Sequence, residues 1–312
     1  MQSNLKYFIA VAQELNISKA AKKLYISQQC LSNHIKRLEA HYNTQFFIRK
    51  PRLVLTSQGK ILFEALQQIQ HIEDVLSREL NDDNNNCVGN ISIGISGSRS
   101  RLLIPDIISE FSKSFPMVKV RVIQGSSDLE GKLLTSNLDL FVSASRIQSP
   151  YIQSSTLLKE KIYLAASSNI LKSHFDDFPH CLARFENGVD FAEFCDIPLA
   201  TTNTTNRLRQ IVDEFMQENN YSIKIFFEGD GVDIHLSLCQ KDCCIFFCPQ
   251  MYASHIQQLQ RSESSDNPLY FFAVNGLTHT MEHRLCQLKS TYVPVYQKKF
   301  VQILSKAFSQ YQ

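Results

Sequence analysis

The sequence predicts a multidomain α+β chain: a small helical head with a basic hairpin, one long connecting helix, and a large body of two α/β lobes. Three observations carry this. Residues 18–39 read as two helices meeting at a short break. Residues 57–80 hold an apolar series at helical spacing without proline, and from residue 89 onward short strand-like runs alternate with amphipathic helical ones. A chain of 312 residues has room for two or three domains.

The head opens with a helix over residues 4–15, in which Leu5, Phe8, Ile9, Ala12 and Leu15 recur at helical spacing and are expected to be buried. Ala20, Ala21 and Leu24 give the next helix a small apolar face. Tyr25 and Ile26 make the turn, and Ser27 stands where an N-cap oxygen would accept a backbone N–H. The following helix buries Leu31, Ile35 and Leu38 and turns Gln28, Gln29, Ser32, Asn33, His34, Lys36 and Arg37 outward. Amides and hydroxyls at a helix N-terminus can hydrogen-bond base edges while flanking cations hold phosphates, which is what a recognition helix requires in the major groove. Phe46 and Phe47 anchor a short hairpin with Pro51 in its turn and Leu53 and Leu55 alternating beyond it, so that Arg49, Lys50 and Arg52 can reach the DNA backbone.

Charge agrees with this. Residues 1–60 carry ten Lys or Arg and only two acids, Glu14 and Glu39, a net +8; the whole chain carries +2, so the remainder carries −6. A positive head on a negative body is the footprint of a nucleic-acid-binding domain joined to something else.

The predicted domains are the head, 1–56; a connecting helix, 57–80; a hinge, 81–88, containing the polar run NDDNNN; and the body, 89–312. Along the connecting helix Ile61, Ala65, Ile69, Ile72 and Leu76 lie close to a heptad seam on a rod of roughly 36 Å. Such a stripe needs a partner, either a second subunit or, since Leu62, Leu66 and Val75 widen it, the chain's own head. In the body, strands are expected at 91–96, 118–124, 138–144, 161–168, 197–202, 223–229, 243–248, 269–275 and 283–290. Helices are expected at 102–115, with Pro105 in the first turn, and at 128–137, 206–219, 232–240 and 295–308. The alternation argues for parallel sheets. One lobe is expected at about 89–160 and 269–312, the other at about 161–268.

These residues also resemble a family. Leu5, Phe8 and Val11, then Ser18-x-Ala20-Ala21-x-x-Leu24-x-Ile26-Ser27-Gln28, Ser32-x-x-Ile35-x-x-Leu38-Glu39, Phe47-x-Arg49 and Leu55-Thr56-x-x-Gly59 look like the winged helix-turn-helix of LysR-type transcriptional regulators. The two-lobed body resembles their effector domain, which is akin to periplasmic solute-binding proteins. Gln29 and Cys30 depart from the small or prolyl pair usual in the family. The resemblance implies a bacterial regulator that binds double-stranded promoter DNA as a homodimer or homotetramer through its linker helix, senses a small-molecule effector between the lobes, and meets RNA polymerase.

In open α/β sheets ligands sit beyond the C-terminal ends of strands. That selects Ser96, Gly97, Ser98 and Arg99; Gly125, Ser126 and Ser127; Ser143; and Thr202, Asn203, Thr204 and Thr205, with Arg99 and Arg101 as partners for a carboxylate. No phosphate-loop, GxSxG or HExxH motif is present, and no closely spaced acid pair falls in a plausible site, so no catalytic residue, enzyme activity or cofactor is expected. Cys239, Cys243, Cys244 and Cys248, with His235 and His255 nearby, raise a metal or redox sensor as a lesser alternative. Against it, Cys243 and Cys244 fall in a predicted strand and point to opposite faces, and no CxxC spacing occurs. A second alternative is a sequence-tolerant architectural DNA-binding protein. The absence of an 18-residue apolar run and of a signal-peptide pattern leads to the expectation of a cytoplasmic protein, not a membrane one, with its nine cysteines reduced.

Overall fold

A computed structural model describes residues 2–49, 52–80, 88–125, 128–135, 137–262, 266–289 and 293–311. The expected hinge run, Lys50, Pro51, Ser126 and Ser127 lie outside the described residues.

The head consists of α1 (Gln2–Glu14), α2 (Ile17–Lys23), α3 (Gln28–His41) and the two-stranded wing β1 (Phe47–Ile48) and β2 (Val54–Leu55). Phe8, Val11, Ala20, Leu31, Ile35, Leu38, Phe46 and Phe47 form its sealed core. Leu15 is not part of that core. It follows the last turn of α1 with φ 44° and is 45% exposed, because the chain must reverse there to let Asn16 cap α2.

The connecting helix α4 (Ser57–Leu80) starts on the head. Thr56 Oγ1 accepts from Gly59 N at 2.9 Å and donates to the Gln45 carbonyl at 2.8 Å, so one hydroxyl caps the helix and pins it to the wing. Leu66 is buried against the head and Leu62 packs beside it, whereas Ile61, Ala65, Ile69 and Ile72 are exposed. The widened stripe thus divides into a face the head covers and a face it leaves open. The side chains of Val75 and Leu76 lie outside the described residues.

The body runs β3 (Gly89–Ile95), α5 (Gly97–Ser114), β4 (Val118–Gln124), α6 (Leu129–Leu134), β5 (Leu140–Ser143), β6 (Ile152–Glu160), β7 (Ile162–Ser167), α7 (Ser168–His174), α8 (Cys181–Phe185), a 3-10 turn (Phe191–Phe194), β8 (Leu199–Thr201), α9 (Arg207–Glu218), β9 (Ile225–Glu228), α10 (Val232–Gln240), β10 (Ile245–Pro249), α11 (Gln250–Ser262), β11 (Leu269–Ala273), β12 (Met281–Leu288) and α12 (Val295–Ser309). The first lobe is a sheet of order β4-β3-β5-β12-β6 and the second a sheet of order β11-β7-β10-β8-β9. Each has its own apolar core.

Four expectations need correcting. The sheets are mixed, not parallel: β12 runs antiparallel to β5 and β6, and β7 antiparallel to β10 and β11, because the chain crosses between lobes and re-enters each sheet from the other end. Residues 269–273 belong to the second lobe, since β11 pairs with β7; the return crossing comes after Ala273. Pro105 lies inside α5, not in its first turn, because the helix begins directly after β3, with Ser100 N bonding to the Ser96 carbonyl at 2.9 Å. Cys243 and Cys244 precede β10 instead of lying in it, held in a turn by Asp242 at φ 61°.

A Cβ added at Gly59 would lie 2.1 Å from the Phe46 carbonyl oxygen, a backbone atom that cannot swing aside. Gly59→Ala is therefore expected to lower the head's unfolding free energy by about 1–3 kcal/mol. Urea denaturation followed by far-ultraviolet circular dichroism measures this, and an unchanged midpoint would contradict the tight junction.

Candidate functional site

Two surfaces concentrate polar chemistry. On the head, Asn16 Oδ1 accepts from Lys19 N at 3.0 Å and Ser27 Oγ accepts from Cys30 N at 3.1 Å, so both helices begin where these side chains fix them. With Leu31, Ile35 and Leu38 sealed inside, Gln28, Gln29, Asn33, Lys36 and Arg37 are exposed and Ser32 is half-buried along one edge of α3. Glu39, the head's second acid, organises the wing. Its Oε1 accepts from Phe46 N at 2.9 Å and Phe47 N at 3.3 Å, and its Oε2 pairs with Arg49 at 3.3 Å. Arg49 is thus tethered within the head, while Arg52 is exposed. The sequence reading identified the cations but not the carboxylate that orients one of them.

The second surface is a cavity of about 90 Å³ between the lobes. Ser96, Arg99, Gly125 and Ser143 line it from the first lobe and Thr205, Asn206 and Arg207 from the second. Several of the expected loop residues stand apart from it. Gly97 and Ser98 form the first turn of α5, Thr202 is buried behind the wall, Thr204 is exposed, and Asn203 Nδ2 donates to Asp230 at 2.7 Å. The lining on that side comes instead from the cap of α9, where Asn206 Oδ1 accepts from Leu208 N at 3.0 Å.

Beneath the cavity lies a buried cluster that the sequence did not reveal. Glu160 Oε2 meets Arg99 Nη2 at 2.6 Å and His283 Nε2 at 2.7 Å, while Oε1 accepts from Met251 N at 2.9 Å. Arg99, expected to face a ligand carboxylate, turns its guanidinium end onto Glu160. Its Nε is buried without a hydrogen-bond partner among the described residues. Burial alone would raise the Glu160 pKa, but the Arg99 charge and the His283 and Met251 hydrogen bonds outweigh it and hold the carboxyl at about 2. Burial, then Arg99, pushes His283 below its ordinary value despite the carboxylate beside it. The cluster is therefore an anion between a cation and a neutral imidazole. Arg101 meets Asp233 at 2.6 Å, linking α5 of the first lobe to α10 of the second.

Burial pushes the Cys244 thiol up to about 11 and the Cys286 thiol up to about 12, away from thiolate chemistry. Among the described residues no group of three His, Cys, Asp or Glu could hold a metal, and no helix is long and apolar enough to cross a membrane.

Residues 3–60 match the family model described as bacterial regulatory helix-turn-helix protein, lysR family, and residues 86–279 match the LysR substrate binding domain. The regulator AlsR of Bacillus subtilis is 36% identical over 143 residues, 44% of this chain and 46% of that protein. The uncharacterized regulator YoaU of the same organism is 32% identical over 146 residues, 46% of this chain and 50% of that one. The chain thus spans about half the length of these relatives. A probable RuBisCO transcriptional regulator of Trieres chinensis is 25% identical over 236 residues, 75% of this chain and 72% of that one. Among solved structures, a full-length OxyR variant of Pseudomonas aeruginosa superposes with a TM-score of 0.65 at 16% identity, covering 99% of this chain and 94% of that one. Full-length CbnR complexed with its target DNA gives 0.53 at 18% identity, covering 98% and 99%. At these identities the likenesses show the fold.

Glu160→Gln leaves Arg99 buried without its counter-charge and is expected to cost about 3–5 kcal/mol of stability. The sign of the pH dependence follows from the lowered folded-state values. His283 contributes stability above its ordinary 6.5 that is lost as pH falls. Glu160 contributes stability above 4.5 that is lost toward about 2. Urea midpoints measured between pH 2 and 8 should fall on acidification in both proteins, but less steeply below pH 4.5 in Glu160→Gln, where Asp242 and Glu282 still titrate; parallel curves would refute the assignment.

Proposed function

The chain belongs to the LysR family of transcriptional regulators, and from that premise we propose that it is a cytoplasmic, sequence-specific regulator of transcription governed by a small-molecule effector. The observation that carries this reading is the edge of α3. A helix fixed by a Ser27 cap buries one apolar stripe completely and exposes amides and cations on the opposite side, within residues 1–60, which carry +8. In this reading Ser27, Gln28, Gln29, Ser32 and Asn33 face base edges, and Lys36, Arg49, Lys50 and Arg52 face phosphates. The open face of α4, with Ile61 59% exposed and Ile69 51% exposed, pairs with the same face of a second copy. The pairing presents two recognition helices to one side of the duplex, roughly 34 Å or a multiple apart. The inter-lobe cavity takes a small polar or anionic effector through Ser96, Arg99, Ser143 and Thr205. RNA polymerase is the partner through which occupancy reaches transcription.

A nuclease footprint on the DNA upstream of the protein's own gene is expected to show two half-sites of dyad symmetry at physiological salt. Uniform protection with a steep salt slope would favour a sequence-tolerant architectural role. Lys36→Ala should weaken binding to all sequences alike and reduce the salt slope by about 1 per subunit, about 2 for the pair. A loss confined to the cognate site would contradict its phosphate role.

A further inference from the structure

We propose that the cavity between the lobes takes a short-chain monocarboxylate, with its charge at the ends of α5 and α9. The inference rests on the reading of this cavity as the effector site and deepens it by naming the ligand's class. Ser96 and Asn206, the residues that precede α5 and α9, both line the cavity, so the N-terminal ends of two helices, one from each lobe, open onto the same space. Asn206 caps its own helix, whereas the Ser96 side chain makes no capping bond. Unpaired N–H groups and the helix dipole make such ends sites for anions. The described residues that line the cavity include Arg99 and Arg207 but no Asp or Glu. Arg99 is only 8% exposed, and its Nε–H finds no acceptor among the described residues. A carboxylate oxygen supplies one.

The lining sets the sign of the ligand's charge, and the groups behind it set the magnitude. Glu160 neutralises Arg99 at 2.6 Å, Glu214 stands 3.2 Å from Arg207, and the neutral His283 in the wall adds no charge. Each helix end is equivalent to roughly half a positive charge, about one for the two together. A monoanion balances that. A dianion such as sulfate leaves negative charge uncompensated where little water reaches it, which is costly. Leu129, Val142, Ala144 and Met281 complete the wall, and they offer methylene groups a surface that a bare inorganic anion cannot use. Size narrows the class further. A cavity of about 150 Å³ accepts benzene, so one of about 90 Å³ holds an acid of roughly two to four carbons and excludes an aromatic one.

The test is saturation-transfer NMR on the full-length protein with sodium propionate as the probe, at neutral pH and constant ionic strength. Propionate is expected to receive saturation and to be displaced by acetate and butyrate, but not by propionamide, propylammonium, sulfate or benzoate. Arg207→Gln is expected to weaken propionate about tenfold by removing a charged donor, and Ala144→Phe, which fills the cavity, to abolish the signal. Circular dichroism checks that each variant is folded. Arg99 is left in place because its loss would strand Glu160. Displacement by propionamide or sulfate as strong as that by acetate overturns the proposal. So does a signal unchanged in both variants, or no transfer to any monocarboxylate. Nuclease footprints on the DNA upstream of the protein's own gene, with and without propionate, separate this inference from the reading beneath it. Propionate that binds and alters the footprint supports both. Propionate that binds and leaves the footprint unchanged supports the ligand class and removes the effector role. A footprint altered by propionamide or sulfate and not by propionate keeps the effector role and overturns the class.

Discussion

The body is organised around one buried carboxylate. Glu160 is the last residue of β6, and one residue later the chain enters the second lobe as β7. Its two oxygens gather Arg99 from α5, His283 from β12 and the backbone N–H of Met251 from α11, so the first crossing, the start of the return strand and elements of both lobes meet at a single group. Burying a charge is costly unless its oxygens are all satisfied. Here both oxygens are engaged, one cation stands opposite, and the imidazole supplies a hydrogen bond without adding a second charge. The lobes are thereby joined at a point of fixed geometry, and the cavity lies above that point.

The head solves its own assembly in a similar way with less charge. Glu39 ties the end of α3 to the first strand of the wing through two backbone N–H groups, and Thr56 ties the wing to α4 through a single hydroxyl. The helix α3, the wing and α4 are therefore joined by short polar contacts around a core of Phe8, Phe46 and Phe47. Leu66 extends that core into α4. Among the described side chains of α4, Leu62 and Leu66 face the head while Ile61, Ala65, Ile69 and Ile72 are exposed, which sets the direction of the uncovered face relative to α3. A second copy seated on that face would carry its recognition helix at a set spacing.

Features encoded within one or two turns of chain were legible in the sequence. The cap at Ser27, the buried spacing of Leu31, Ile35 and Leu38, and the proline-free run that becomes α4 depend on local rules, and the structure forms them. Pairings across long separations were not legible. The run that becomes β6 has a weak apolar pattern because most of its residues are exposed, and only its pairing with β12, more than a hundred residues later, makes it a strand. β11 looks like any other apolar strand and reveals its lobe only by pairing with β7. Arg99 shows the same limit at the site. Sequence places a cation at a strand end, where a ligand is the natural partner, and cannot show Glu160 arriving 61 residues later to claim it. Thr202 to Thr204 matched the composition of a binding loop, yet the wall is built from Thr205 to Arg207, because the direction of the chain after β8 decides which hydroxyls face inward.

The contrast between the two ion pairs at the lobe boundary bears on how an effector would act. Arg101 and Asp233 are both about half exposed, and such pairs are worth roughly 0–1 kcal/mol, so exchanging that contact for water costs little. The pair between Arg99 and Glu160 is sealed, and parting its members would leave an unpaired buried charge. Arg99 and Glu160 both belong to the first lobe. A movement of one lobe against the other would therefore exchange the outer contact for water and carry the sealed pair along intact, with the Met251 N–H bond to Glu160 as the inner tie between α11 and the first lobe. The motion this favours is rotation about the Glu160 cluster, with the largest displacement farthest from it. A ligand shifts such an equilibrium only by the difference in its affinity for the two arrangements. Ser96 and Ser143 line the cavity from one lobe and Thr205 from the other, so a rotation about the Glu160 cluster would change their separation, and a ligand touching both sides would feel the difference.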